Sequence, residues 1–184
     1  HKDIIKMSFS INEFKSRLTY GGARPTLFQV QLSNPIAPLA NLKVPFMAKA
    51  ASLPASTIGQ IEAPFMGRKV KYGGDRSFEP WTVTIINDED FQIRNALEAW
   101  SNAINTHVSN DRALPQNYKS DAIVIQYGKD GRILRQYSFQ GLFPQNISDI
   151  PLAWEQQDTI EEFTVTFDYD LWVINGGITG NSTT

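Results

Sequence analysis

Cysteine is absent from all 184 residues, so disulfide staples and thiolate metal sites are excluded and stability must rest on packing and strand pairing. Histidine occurs only as His1 and His107, too few ligands for a zinc centre in a cysteine-free chain. No G-x-S-x-G elbow accompanies them, so no hydrolase triad can be assembled, and no glycine fingerprint for a nucleotide stands between a strand and a helix. A basic surplus is also missing. Seventeen Lys and Arg against nineteen Asp and Glu leave a net charge of −2, which argues against holding nucleic acid through phosphate neutralisation. No apolar run approaches the roughly 20 residues that cross a bilayer, and residues 1–14 mix Lys, Asp and Ser in place of a signal-peptide core. The expectation is a protein that does not insert into a membrane and has no catalytic, cofactor or metal site.

The chain does have 41% hydrophobic and 11% aromatic residues, enough for one domain with one core. Phe28, Val30 and Leu32 alternate with Gln29 and Gln31, the two-residue period of a strand that Asn34-Pro35 should end. A second, less regular strand is expected over 44–49. Between Ala50 and Arg76 lie two Pro, four Gly and few clean repeats, which predicts a long inter-strand loop with one short strand at 69–72. Gly73, Gly74 and Asp75 have the composition of a tight turn with positive φ. Trp81, Val83 and Ile85 then alternate with Thr82, Thr84 and Ile86 to give a clear strand.

One helix follows. Asn87 or Asp88 is the expected cap, Asp88, Glu89 and Asp90 face the positive end of its dipole, and Ile93, Leu97, Trp100 and Ile104 form its apolar stripe. Residues 122–127 and 133–142 read as strands joined by an Asp130-Gly131 turn. Residues 162–173 read as one last strand with Phe163, Val165, Phe167, Tyr169 and Leu171 on one side and Thr164, Thr166, Asp168 and Asp170 on the other. The Gly-, Ser-, Thr- and Asn-rich tail 175–184 has little apolar area to bury and is expected to dangle or to order on contact. Trp81, Trp100 and Trp154 are expected in the core, while Trp172 lies on the mixed face of the last strand, where an interface is expected.

Bland readings win at the charged clusters. Three adjacent carboxylates at a helix start cannot all aim at one cation, so Asp88, Glu89 and Asp90 read as a cap. Glu161 and Glu162, as neighbours on a strand, point to opposite faces and cannot flank a glycosidic bond. Arg68, Lys69, Lys71 and Arg76 form the densest basic cluster, with a solvated loop as the default against a phosphate-binding loop.

The series Phe65-Met66-x-Arg68-Lys69, Gly74-Asp75-Arg76-x-Phe78, Trp81-Thr82-Val83-Thr84 and Asn87-Asp88-Glu89 resembles the tube protein of contractile bacteriophage tails. The resemblance extends upstream to Arg24-Pro25-x-Leu27-Phe28-Gln29-Val30 and Ala51-Ser52-Leu53-Pro54-Ala55. Downstream it includes Tyr118-Lys119-Ser120-x-Ala122-Ile123-Val124, Gly141-Leu142-Phe143-Pro144 and Leu152-x-Trp154.

It implies a mainly β fold, a β-sandwich or barrel with one flanking helix and a long inter-strand loop, divided into an arm (1–23), a β domain (24–174) and the tail. It implies a non-enzymatic virion subunit, assembled in the host cytoplasm, whose hexameric rings stack into a conduit for DNA. Expected partners are further copies of the chain, the tail sheath, baseplate and tail-terminator proteins, and the tape measure protein and DNA in the lumen. Because a wall of Lys and Arg would retain a passing polyanion, the lumen is expected to be neutral to acidic. Expected subunit contacts are Phe65 and Met66 as apolar anchors and Arg68, Lys69 and Arg76 as partners for carboxylates, with Trp172 near the tail. Rival readings are a baseplate-proximal tube initiator, the inner tube of a secretion injector or, from another class, a carbohydrate-binding β-sandwich.

Overall fold

The alternating segments pair as their patterns require. In the computed structural model, which describes residues 11, 23–38, 41, 43–106, 112–155 and 159–179, strand β1 (Phe28–Leu32) lies antiparallel to β6 (Ser120–Tyr127), with Val30 opposite Val124. Strand β6 pairs in turn with β7 (Ile133–Ile147), across a connection in which Gly131 takes a φ of 79°. Strand β5 (Trp81–Ile86) pairs with β2 (Ala48–Ala51) on one side and β8 (Glu162–Asp168) on the other. Strand β7 is long enough to serve two layers: residues up to Gln140 pair with β9 (Leu171–Ile174) and up to Leu142 with β6, and Phe143 onward pairs with β8.

Gly141 marks the crossing. Its φ is 69°, and a Cβ there would land on the Asp170 carboxylate, so glycine is needed both for conformation and for the close approach. The resulting seven-stranded sheet runs β1-β6-β7-β8-β5-β2 with β9 on β7, folded on itself as a sandwich and not closed into a barrel. The mainly β expectation holds in its sandwich form.

Between the layers lies a core rich in aromatic side chains. The Trp81 ring stacks on Phe139 at 4.4 Å and lies 5.6 Å from Phe167, and its indole N–H donates to the Ser52 carbonyl at 2.8 Å. Helix α2 (Gln92–Ile104) buries Ile93, Ala96, Leu97 and Trp100, and Ile104 packs beside them, so the predicted stripe is the face it turns inward. The Trp100 indole donates to the Tyr118 carbonyl at 2.7 Å, on the short helix α3 (Pro115–Tyr118). Asn34 is buried yet satisfied: its amide donates to the Ala96 carbonyl, and its Oδ1 accepts from the Ile36 and Ala37 amides. It ends β1 as expected and also ties that strand to α2.

Several expectations give way to tertiary structure. Residues 44–49 are not one strand: Pro45 sits in the first turn of a short helix, α1 (Val44–Met47), before β2 begins. The last strand is two, because Tyr169 and Asp170 turn the chain from β8 onto the other layer. Leu171 is left more than a third exposed while Ile174 faces inward. Trp154 is 99% exposed and not in the core. In the tail, the Asn175 and Ile178 amides donate to the Gln136 and Ile133 carbonyls of β7, so its first residues run along the sheet without needing apolar burial. The arm 1–23, Ile11 and Ala23 apart, and His107 lie outside the described residues.

Helix α2 also starts later than expected. Its N-cap residue is Phe91, at a φ of 50° and with no side-chain cap. Asp90 accepts from the Gln92 amide at 3.0 Å, so one acid does serve the helix start, from a position outside it. Lys43 spans the same turn, its Nζ 2.6 Å from an oxygen of Asp88 and of Asp90. With two carboxylates engaged by a lysine, a cation has no claim on the cluster.

The hydrogen bonds that Lys43 donates to Asp88 and then to Asp90 raise its pKa, and the same bonds are the chief cause that lowers both carboxyls. A raised lysine stabilises below its unfolded pKa and loses that effect as pH climbs through its folded value. Lowered carboxyls stabilise above their unfolded pKa and lose it as pH falls through their folded values. The trio therefore holds from about pH 4 to about pH 10. In Lys43→Met both carboxyls are expected to titrate at higher pH, followed by NMR of the side-chain carbons. Unchanged titration would show that the lysine does not govern them.

Candidate functional site

Residues expected to form a loop instead form the longest ribbon outside the core. Strands β3 (Ser56–Phe65) and β4 (Arg68–Phe78) pair with each other in a two-stranded sheet and with no other described strand. Ten residues of strand extend for about 30 Å. The two-residue period hidden by the glycines becomes legible in the register: Ile61 opposes Tyr72, Ala63 opposes Val70 and Phe65 opposes Arg68, which puts these six on one face. Glu62 opposes Lys71 and Pro64 opposes Lys69 on the other, where Lys69 and Glu62 pair at 2.8 Å. The ribbon is amphipathic, and among the described residues its apolar side is left largely exposed.

Its glycines have different work from that expected. Gly73 and Gly74 have no positive φ and make no turn; they lie within β4 at a register shift between Ile58 and Gln60. A Cβ on Gly74 would meet the Gly59 backbone at 3.2 Å, so the pair permits a β-bulge in which the strands approach closely. The reversal of the chain falls at Met66 and Gly67, with φ of 47° and 79°. Two positive values in a two-residue connection suit the right-handed twist of the flanking strands. Asn or Asp would be usual at the first position; Met there carries a conformational cost and is 90% exposed. Met66→Asn is expected to raise the melting temperature of the unassembled chain slightly, by up to about 1 kcal/mol of stability, as read by calorimetry. A lowered melting temperature would mean that Met66 makes a contact worth more than the turn costs.

The sequence-chosen residues thus divide. Phe65, Met66, Arg68 and Lys69 gather at the ribbon tip, and Phe65 is 64% exposed. Arg76 sits towards the base, opposite Ile58. Trp172 is remote from the tip: it packs edge-on to Phe78 and Tyr137 against the core, and its buried indole N–H lacks a hydrogen-bond partner among the described residues. Phe78 connects the two regions, since it ends β4 and touches Tyr169 and Trp172. Ribbon and core are joined there and at the Trp81–Ser52 hydrogen bond.

One further feature was missed. Leu152, Trp154 and Ile160 project from the connection between β7 and β8, 81%, 99% and 66% exposed. Periodicity is silent about them because they lie outside regular structure; the sole signal was large apolar residues among acids. Strands β1 and β2 are the ends of the folded sheet, each with one strand neighbour, so each leaves an edge unpaired within the described chain. No cluster of three metal-ligating side chains occurs among the described residues, and none of the described helices is long and apolar enough to cross a membrane. What the arrangement offers is surface: an amphipathic ribbon, exposed anchors and open edges.

Comparison with known proteins gives this surface a context. The family model for phage tail tube proteins matches residues 11–175. The chain is 36% identical over 153 residues to the tail tube protein gp19 of Enterobacteria phage T4, covering 82% of this chain and 90% of that one. Among solved structures, the tube-terminating cap of the anti-feeding prophage superposes with a TM-score of 0.62 at 19% identity, covering 83% of this chain and 90% of that one. A chain of the sheath-tube complex of an extracellular contractile injection system gives 0.58 at 15%, covering 91% and 99%. These two show the fold, and the sequence relationship shows the lineage. The chain belongs to the phage tail tube protein family, a family of structural virion components and not of enzymes.

Proposed function

We propose that six copies close into a ring, that rings stack, and that the hollow stack conducts DNA during ejection. The observation that carries this reading is the apolar face of the β3–β4 ribbon, left uncovered among the described residues. An isolated two-stranded hairpin is at best marginally stable in water, and this one exposes Ile58, Ile61, Phe65, Met66 and Tyr72 by more than half. A surface of that kind is covered in the working state. The tip residues Phe65 and Met66 are the anchors of the contact, and Arg68, Lys69 and Arg76 meet carboxylates around it. Trp172 lies where the ribbon base meets the core. The open edges of β1 and β2 supply the lateral bond by pairing with neighbouring copies, and ring closure stops that growth.

Related assemblies support the partners. One solved neighbour is a tube-terminating cap and another belongs to a sheath-tube complex; by analogy this chain meets a sheath, a baseplate and a terminator outside, and tape measure protein and DNA inside. The lumen is neutral to acidic in this reading. Its support is the net charge of −2 and an outer sheet face on which Thr82 pairs with Thr166 and Thr84 with Thr164, where the neighbouring Lys49 is paired with Glu162. Electron microscopy of concentrated protein is the test, with six-fold rings and hollow tubes expected. Material that forms neither under any condition, or tubes with a continuous basic lining, would overturn the proposal.

A further inference from the structure

Strand β5 has two ends, and two groups of exposed apolar side chains, those of the ribbon and those of the connection between β7 and β8, lie at opposite ones. At its start, Trp81 lies beside Phe167, the ribbon returns to the body through Phe78, and Ser52 is held by the Trp81 indole. At its finish, Ile86 lies beside Glu162, where the connection from β7 enters β8. Here Leu152, Ala153 and Trp154, with Ile160, Glu162 and Lys49, line an open groove of about 800 Å³. The charges are opposed as well. The ribbon carries Arg68, Lys69, Lys71 and Arg76 against Glu62 and Asp75, four basic side chains to two acidic. Around the groove, Asp149, Glu155, Glu161 and Glu162 have no basic residue among them in sequence, and Lys49 is engaged with Glu162 at 2.5 Å.

We infer that this groove is the receptor for the ribbon tip of a second copy of the chain, with Phe65 and Met66 of one copy seated against Leu152, Trp154 and Ile160 of the next. Donor and receptor at opposite ends of one sheet form a head-to-tail contact, which does not close on itself and continues from copy to copy along the sheet direction. A Trp that is 99% exposed is an anchor waiting for a cover, and large aromatics dominate the binding energy of such contacts. Acid around the groove and base on the ribbon orient the approach and disfavour ribbon against ribbon. The inference rests on the stacking proposed above and names where the ribbon lands.

A chain without cysteine permits a clean test. In the double variant Met66→Cys/Ala153→Cys, assembled material confirmed by microscopy is oxidised and run on a non-reducing gel. A ladder of disulfide-linked copies is expected, with none from Met66→Cys/Leu114→Cys. Assembled material that gives a ladder only with Leu114 overturns the groove as receptor and leaves the ribbon as a contact between copies; absence of both ladders also overturns it. Failure of the unsubstituted chain to assemble removes the stacking reading and this inference with it. Trp154→Ala gives an independent readout, because an indole this exposed contributes little to the monomer. Its melting temperature should equal that of the parent while the concentration needed for assembly rises at least tenfold. Unchanged assembly would overturn the inference.

Discussion

Trp81→Ala should lower the melting temperature by about 10 °C or more, and much of the variant should collect as aggregate. Trp81 is 1% exposed, stacks on Phe139 with a tilted Phe167 beside it, and is the first residue of the strand that β2 and β8 share. Truncating a buried Trp to Ala costs about 3–5 kcal/mol, through lost transfer energy and the cavity left behind, out of a total that is typically about 5–15 kcal/mol. For a domain of this length each kcal/mol corresponds to roughly 2–4 °C. The indole N–H adds a second effect: without it the Ser52 carbonyl loses its donor, and the chain entering the ribbon is released from the core. Trp81→Phe separates the two, because it retains a ring on Phe139 and loses the bond. It should melt between the parent and Trp81→Ala and show faster hydrogen exchange across 52–58. Equal melting of Trp81→Ala and parent in calorimetry would mean that this ring does not organise the core.

Phe65→Ser/Met66→Ser should behave in the opposite way, leaving the fold intact and removing assembly. Both side chains are mainly in solvent in the single chain, so neither removal leaves a cavity, and melting should change by less than about 0.5 kcal/mol, as for other exposed sites. At a contact between copies the same atoms are central anchors, worth about 2 kcal/mol or more each when truncated. Two such losses correspond to a rise of several hundredfold or more in the concentration needed to assemble. Sedimentation of the variant beside the parent measures this, with calorimetry of both as the control. Normal tubes from the double variant would exclude the tip as an anchor. Arg68→Glu/Lys69→Glu should fail less severely and depend on salt, since exposed ion pairs are individually weak and screened.

Sequence patterning was most reliable where one side of an element meets the core. β1 and β5 begin and end where their alternation does, and the stripe of α2 faces inward as its spacing requires, because burial imposes the period that composition then displays. The ribbon failed as a sequence reading for the converse reason. Its strands are buried on neither side, its glycines serve a bulge, and its reversal uses Met66, a residue that no turn preference selects. Phe65, Met66, Arg68 and Lys69, grouped on family resemblance and the density of charge, do lie together at the ribbon tip, while the groove went unseen because Trp154 looked like any other core aromatic.

By itself the sequence determined a mainly β, cysteine-free chain with one apolar-striped helix, no catalytic constellation and the lineage of a tail tube. Each of these follows from local periodicity, residue counts or motif order, which need no knowledge of distant contacts. Only the tertiary structure decided that residues 56–78 stand out as a ribbon, that Gly141 lets β7 pass between layers, that Trp154 lies outside, and that ribbon and groove occupy opposite ends of one sheet. These are properties of register and of which faces remain uncovered after packing. The ribbon's strands are neighbours in the chain, but whether anything covers them, like the approach of Gly141 to Asp170, depends on residues that no short window contains.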